Sequence, residues 1–471
     1  MRETKIKTIF TPLYSLPVFR NLFLFPGCFF DQVCELVQTG APHRFVFIVP
    51  QKSFQKYAPI FSGKLSDRII LESIPDPEKI GTLGKMFRFF YSYLIYTSTT
   101  KLLATMGTRP DEMPPGSRHL WPFKTFIANT FGRSRFIKTQ IIPLVFNAIF
   151  DKNHFSVLFD KYHPDAVFLP HMLGWFDNLL LREAKNRGVK TIGMAANWDH
   201  IDKYFIPLQA DLLLAQNELI KSAAIRDQAY RENRIRLTGY PHFDFIWDKK
   251  YLMERSDFLT STHVRLPSGA KYFLYISGSV YCPDEPDVIE EVLNWISAGR
   301  FGPDVYMVIR PYLGGRFKDR DFDDNKFAGF AKHPKVRMAS RESWKAVEDT
   351  IPLLNFMAHA SVVMSAFSTA ALEASLFDRP LVGIGFDGHH IRPLYRSVRR
   401  FENFTHFQDI FKTGAVKVVR GFDELYAALN AYLENPELDA DKRELMRKTM
   451  CYKLDGQSSQ RILGNILNMF E

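Results

Sequence analysis

Cysteine is scarce in this sequence and nowhere paired: Cys28, Cys34, Cys282 and Cys451 are the only four in 471 residues, and none forms a Cys-x-x-Cys step. That scatter supports neither a disulfide framework nor a zinc site and points to a reducing compartment. No run approaches the roughly 20 apolar residues that a spanning helix needs. The charged start Met1-Arg2-Glu3-Thr4-Lys5 leads into no long apolar block before Pro12, so no signal peptide is expected. Internal repeats and low-complexity tracts are missing, as are the RRM, KH, helix-turn-helix and finger signatures of nucleic-acid binders. An obvious metal-binding Asp-x-Asp is also wanting in the second half. Its nearest match, Asp321-Phe322-Asp323-Asp324, follows Arg316–Arg320 in a polar stretch and reads as solvated surface.

What is present is ordinary globular material, with 46% hydrophobic and 24% charged residues, so disorder is not the default. At roughly 100–200 residues per domain the length suggests two to four domains. The formal charge of +10 is uneven. Lys79–Phe150 holds ten Lys/Arg against Asp111 and Glu112, net +8, which leaves about +2 elsewhere. The same segment is dense in rings, from Phe87, Phe89 and Phe90 to Trp121, Phe123, Phe126 and Phe136. Cations interleaved with bulky apolar groups fit an anionic membrane face or a nucleic acid. The plainer alternative is a pair of amphipathic helices with solvated cations outside.

Short apolar runs alternate with helical patterns along the first half. Asn21–Phe25, Arg44–Val49, Arg68–Leu71, Asp165–Leu169, Thr191–Met194 and Leu212–Ala215 read as strands, with a helix near Asn178–Asn186 that Asp177 and Asn178 open. The second half repeats the rhythm. Phe273–Ile276, Val305–Ile309, Ser361–Met364 and Leu381–Gly385 are expected strands; Pro286–Ile296, Ser368–Leu376, Phe422–Leu433, Asp439–Cys451 and Gln457–Phe470 are expected helices. Strands spaced by helices imply βαβ units and parallel sheets. The expected division is an acceptor lobe over 1–245, interrupted by a basic aromatic helical insertion at about 79–150. A nucleotide lobe over 246–455 follows, and a C-terminal helix over 456–471 packs back on the first lobe. Two such sheets make a cleft with ligands at the carboxyl ends of strands.

Chemistry concentrates in the second half. Ser365-Ala-Phe-Ser368-Thr369-Ala-Ala-Leu-Glu373-Ala puts hydroxyls in a short turn between a strand and a helix, where unpaired N–H groups and the helix dipole suit phosphate. Glu373, about one turn deeper, is placed for a sugar hydroxyl; the alternative is an N-cap serine and a solvated glutamate. Gly278 and Ser279 follow the first strand of this half, Arg310 the next, and Asp387-Gly388 the Leu381–Gly385 strand, all at carboxyl ends. His389, His390, Arg392, Arg396, Arg399 and Arg400 then form a basic cluster that reads equally as a diphosphate contact or as an exposed loop.

Ser365-Ala-Phe-Ser-Thr-Ala-Ala-Leu-Glu-Ala with Phe377-Asp-Arg-Pro-Leu-Val resembles the donor-lobe pattern of GT-B glycosyltransferases, near the group of CDP-glycerol glycerophosphotransferases, UDP-N-acetylglucosamine 2-epimerases and related surface-carbohydrate enzymes. Asp455-Gly456-Gln-Ser-Ser459-Gln-Arg461-Ile462 is similar to the ending of the glycerophosphotransferases. Asn197-Trp198-Asp199 and Thr238-Gly239-Tyr-Pro241-His-Phe-Asp244 are similar to first-lobe pieces of the same group. The resemblance covers about residues 165–462. It implies an α/β fold of two Rossmann-like, doubly wound parallel-sheet domains, with Ser368 and Thr369 holding a donor pyrophosphate, Glu373 the ribose, and Asp387 and Gly388 the pocket wall. The His-Gly-Thr motif of the glycerophosphotransferases is not found, nor the acidic set of a 2-epimerase.

A transfer of this kind needs a leaving diphosphate stabilised and an acceptor hydroxyl deprotonated. His171, directly after the Asp165–Leu169 strand, is the candidate base; Asp199 and His200 are rivals, and a hydrogen-bonded loop residue is the alternative for each. The expectation is a metal- and cofactor-independent glycosyltransferase in the cytoplasm, at the inner face of the membrane. Its donor is a nucleotide-activated sugar and its acceptor a polysaccharide or a lipid-linked molecule. A glycerophosphotransferase or nucleotide-sugar epimerase is the first alternative; a non-catalytic nucleotide- or nucleic-acid-binding protein is the second, with nucleic acid not the expected partner.

Overall fold

The computed structural model describes residues 5–106, 120–150, 153–195, 201–261, 265–267, 269–312, 322, 325–339, 350–367 and 370–470. They fall into two compact units: those within Met1–Thr100, Leu120–Trp247 and Tyr452–Glu471, and those within Lys101–His119 and Asp248–Cys451.

The first unit is built on seven strands: β1 (Lys7–Pro12), β2 (His43–Pro50), β3 (Ile69–Ile74), β4 (Ala166–Leu169), β5 (Lys190–Met194), β6 (Leu212–Ala215) and β7 (Ile235–Leu237). They lie in the order β3-β2-β1-β4-β5-β6-β7 with every pairing parallel. Helices on both faces of a parallel sheet bury its central strands completely, which is why Phe45–Val49 and Ala166–Leu169 are unbroken apolar runs. The order reverses between β1 and β4, the switch point where such sheets bind ligands.

Asn21–Phe25 is not a strand. Ser15 accepts a hydrogen bond from the Val18 amide, Pro17 sits in the first turn, and the chain runs as a helix over Leu16–Phe19 and a wider π turn over Arg20–Leu24. A short run buried on every side carries no period to separate strand from helix. The strand that opens this unit is Lys7–Pro12, whose Thr8 and Thr11 interrupt the apolar signal.

Between β3 and β4 lie helices Thr82–Ser92, Ser98–Thr105, Trp121–Asn129 and Ile142–Ile149. Leu83, Met86, Phe123, Phe126, Phe136 and Leu144 are exposed on them or beside them. Not all the cations face solvent. Lys124 is buried over the ring of Tyr93, and buried Lys138 donates to the Asp227 carbonyl at 2.8 Å. The last helix, Ser458–Leu467, packs on helices Phe29–Gln38 and Pro241–Trp247 of the same unit.

The second unit has six parallel strands: β8 (Lys271–Ile276), β9 (Val305–Arg310), β10 (Val336–Met338), β11 (Val362–Ser365), β12 (Leu381–Ile384) and β13 (Val416–Val419), in the order β10-β9-β8-β11-β12-β13. Its switch point lies between β8 and β11. Helices Glu285–Ser297 and Phe422–Glu434 close one face through Val288, Val292, Trp295, Leu425 and Leu429. Both units are Rossmann-like and doubly wound. Among the described residues no helix is long and apolar enough to cross a membrane.

Candidate functional site

In the first unit the chain crosses the switch point with Tyr14 on one side and His171 on the other. β1 pairs with β4 so that Ile9 meets Ala166 and Phe10 meets Val167. The same offset, continued two residues past each strand, brings the Tyr14 hydroxyl to 3.1 Å from Nδ1 of His171, with the rings stacked at 6.0 Å. His171 is half-buried. The helix Trp175–Asn186 begins just after it, and Asp177 in its first turn is fully buried beside Tyr14. Neither Asp177 oxygen has a hydrogen bond of ordinary geometry among the described residues, and burial pushes its carboxyl up to about 8, offset in part by the Tyr14 hydroxyl. The Tyr14 phenol is in turn held well above its usual range by burial and by Asp177. Gly174 fits here because a Cβ would stand 1.3 Å from the Tyr14 oxygen.

This cluster has a definite chemical capacity. With Asp177 ionised, its carboxylate accepts from Tyr14, the Tyr14 oxygen accepts from Nδ1–H of His171, and Nε2 is left with a lone pair for a substrate proton. Sequence reasoning found His171 but not Tyr14, because β1 went unrecognised, and treated Asp177 only as a helix opener. Asp199 lies outside the described residues.

In the second unit, Ile276 is the register partner of both Arg310 and Ser365, and Ser365 of Gly383. The ends of β9, β8, β11 and β12 thus form one row across the switch point, about 14 Å long at strand spacing. Arg310, Ser365 and Glu373 are all buried. Ser368 and Thr369 lie outside the described residues; the helix is described from Ala370 to Ser375. Gly278 is held from below, its amide donating to Oε1 of Glu285 at 2.7 Å and Ser277 Oγ to Oε2 at 2.9 Å. Buried Lys326 pairs with the same carboxylate at 2.5 Å. A Cβ on Gly278 would meet Cys282 Sγ at 2.6 Å, so any larger residue must displace that side chain, while the Gly278 N–H is already engaged. Of Ser279 only the backbone is described, in a short turn over Ser279–Tyr281.

Asp387 and Gly388 follow β12, but Asp387 turns to its own chain, accepting from the Val398 amide at 2.7 Å. Gly388 has φ +60°, and a Cβ there would lie 2.5 Å from Oδ2 of Asp287. Much of the basic cluster beyond is compensated internally. Arg392 forks onto Asp284, His390 stands 3.6 Å from Asp287, and fully buried Arg400 donates to the Ser397 carbonyl at 2.7 Å. The acids of the helix Glu285–Ser297 and the residue before it explain this, and their bearing on these cations is invisible in the local sequence. Arg396 remains exposed.

The Thr238–Asp244 and Asp455–Arg461 motifs meet one another. Asp244 accepts from the Ser459 amide at 3.1 Å, Arg461 donates to the Thr238 carbonyl at 2.8 Å and forks onto Asp455. They clasp the last helix to the first unit.

No family model and no curated protein sequence matches the chain. Solved structures do. A glycosyltransferase of Rickettsia africae is similar over 100% of this chain and 100% of its own, at 11% identity and a TM-score of 0.53. A UDP-N-acetylglucosamine 2-epimerase is similar over 99% and 97%, at 12% and 0.53. The Neisseria meningitidis UDP-GlcNAc 2-epimerase, solved with UDP-GlcNAc bound, is similar over 98% and 100%, at 11% and 0.50. Together with the two parallel sheets, these likenesses define the class: the chain has the GT-B fold.

Proposed function

We propose that this protein is a nucleotide-sugar-dependent glycosyltransferase acting on a polysaccharide or lipid-linked acceptor. The second unit holds the donor at the β8/β11 switch point, with Gly278, Ser279, Arg310, Ser368, Thr369 and Glu373 as its surroundings and Asp387-Gly388 shaping the adjoining turn. The first unit receives the acceptor and supplies His171 as base. The observation that carries the reading is the Tyr14–His171–Asp177 cluster at the β1/β4 switch point, a proton acceptor with its own orienting group where an α/β sheet takes ligands. Exposed rings and cations on the 79–150 helices favour contact with an anionic membrane face, in keeping with a cytoplasmic enzyme at the inner leaflet. No protein metal or cofactor enters the proposal.

Thermal shift with UDP-, CDP- and GDP-linked sugars and CMP-linked sugars tests it, with Glu373→Ala as control. A donor at 100 times its Kd stabilises the folded state by about 2.7 kcal/mol. One donor should stabilise the wild type and lose its effect in the control. Product analysis then separates the reactions: a glycosylated acceptor with release of the free nucleotide (a nucleoside diphosphate, or CMP from a CMP-linked sugar) supports transfer, an isomerised nucleotide sugar supports an epimerase, and no stabilisation by any donor overturns both.

A further inference from the structure

A cavity in the first unit is lined by none of Tyr14, His171 and Asp177. It has a volume of about 650 Å³, within the range of small-molecule sites. One wall is the helix Thr82–Ser92, which presents Lys85, Arg88, Phe89 and Ser92. Their i, i+3, i+4, i+7 spacing puts them on one helix face. Lys79 also lines the cavity, and Tyr93, Tyr204 and Phe205 add rings. No residue lining it is acidic, while Lys79, Lys85 and Arg88 are exposed cations.

Leu173 and Asn178 also line the cavity. Asn178 is buried, and its Nδ2 donates to the carbonyls of Met172 at 3.1 Å and Gly174 at 2.7 Å. Those two hydrogen bonds fix the cavity wall to the turn that carries His171. A molecule lodged in the cavity therefore lies against Leu173 and Asn178, which belong to and brace the turn that carries the candidate base.

We propose that this cavity is the acceptor subsite and that the acceptor is an amphiphilic phosphate ester. Its phosphate sits on Lys79, Lys85 and Arg88, and its apolar portion lies against Tyr93, Phe205 and the exposed rings of the neighbouring helices. Three cations lining one cavity with no carboxylate among its lining residues favour a multiply charged anion. Aromatic walls favour an apolar body over a bare phosphate. This rests on the transferase reading for the name "acceptor"; the binding itself does not.

The test is equilibrium binding of geranyl phosphate to the full chain, below its aggregation concentration. Geraniol, inorganic phosphate and glucose 1-phosphate serve as separate arms, and Lys85→Glu/Arg88→Glu as the variant. Both side chains are exposed, so the variant should keep the wild-type Tm and donor binding. The expected result is saturable binding of geranyl phosphate, weakened at least tenfold in the variant, with geraniol, inorganic phosphate and glucose 1-phosphate each at least tenfold weaker. Undiminished binding in the variant overturns the site. Glucose 1-phosphate binding as tightly as geranyl phosphate overturns the amphiphile. Failure of geranyl phosphate while a nucleotide sugar still stabilises the chain overturns this subsite alone; failure of the nucleotide sugars overturns the transferase reading instead.

Discussion

The hydroxyl of Tyr14 lies 3.1 Å from Nδ1 of His171, although 157 residues separate them. The contact follows from the pairing register of β1 and β4, continued two residues past the end of each strand. If Tyr14 orients the imidazole of a general base, His171→Ala should lower kcat by about 10²–10⁴ with donor affinity unchanged. Tyr14→Phe should cost about tenfold, the worth of roughly one hydrogen bond. Equal turnover by wild type and His171→Ala would remove His171 from the mechanism.

Asp177 gives the cluster a pH dependence of known sign. Its carboxyl titrates at about 8 in the folded chain against 3.8 unfolded. As it ionises it takes the Tyr14 proton bond and frees Nε2, so turnover should climb toward pH 8, and Asp177→Asn should flatten the climb. Stability runs the other way. Between about pH 4 and about pH 8 the folded chain holds a proton that the unfolded chain has released, so burial of Asp177 costs more as pH rises. Asp244, raised to about 6, acts in the same sense over a narrower window. Urea midpoints should therefore fall less with pH in Asp177→Asn than in the wild type.

The strands Arg44–Val49, Asp165–Leu169, Leu212–Ala215 and Phe273–Ile276 were legible because central parallel strands are apolar on both faces. Of the four edge strands only β3 was read, as Arg68–Leu71; β7, β10 and β13 are three or four residues long with polar or half-exposed positions, and their pairing comes from the neighbour strand. The candidate site divides the same way. His171 and Gly278 follow strong strands and could be placed. Tyr14 follows a strand that threonines disguise, and Glu285 and Lys326 act on Gly278 from 7 and 48 residues away. Arg392 and His390 advertise charge that Asp284 and Asp287 largely neutralise, a relation that only folding creates.

The Glu285–Lys326 pair is almost fully buried, at 2% side-chain exposure for each partner. Removing one charge leaves the other unpaired in a low dielectric, at a cost of about 3–5 kcal/mol. Lys326→Met should thus destabilise the chain strongly, and Glu285→Gln/Lys326→Met should recover part of the loss. Gly278→Ala should lower donor affinity at a smaller cost in stability, because its Cβ must displace Cys282. Denaturant titrations with and without nucleotide sugar separate the two effects.

The clasp between the Thr238–Asp244 turn and the Asp455–Arg461 ending predicts a purely structural phenotype. Arg461 reaches the Thr238 carbonyl at 2.8 Å and both oxygens of Asp455, so Arg461→Ala removes a charge-assisted fork and strands a buried carbonyl. Hydrogen bonds to charged groups contribute about 1.5–3 kcal/mol. Gly239, at φ +84° and with a Cβ position 2.6 Å from Ser458 Oγ, should tolerate alanine no better. Both variants should unfold more readily and expose the helix Ser458–Leu467 to proteolysis, yet keep wild-type kcat at temperatures where they remain folded. A drop in kcat without loss of stability would instead move these motifs into the reaction itself.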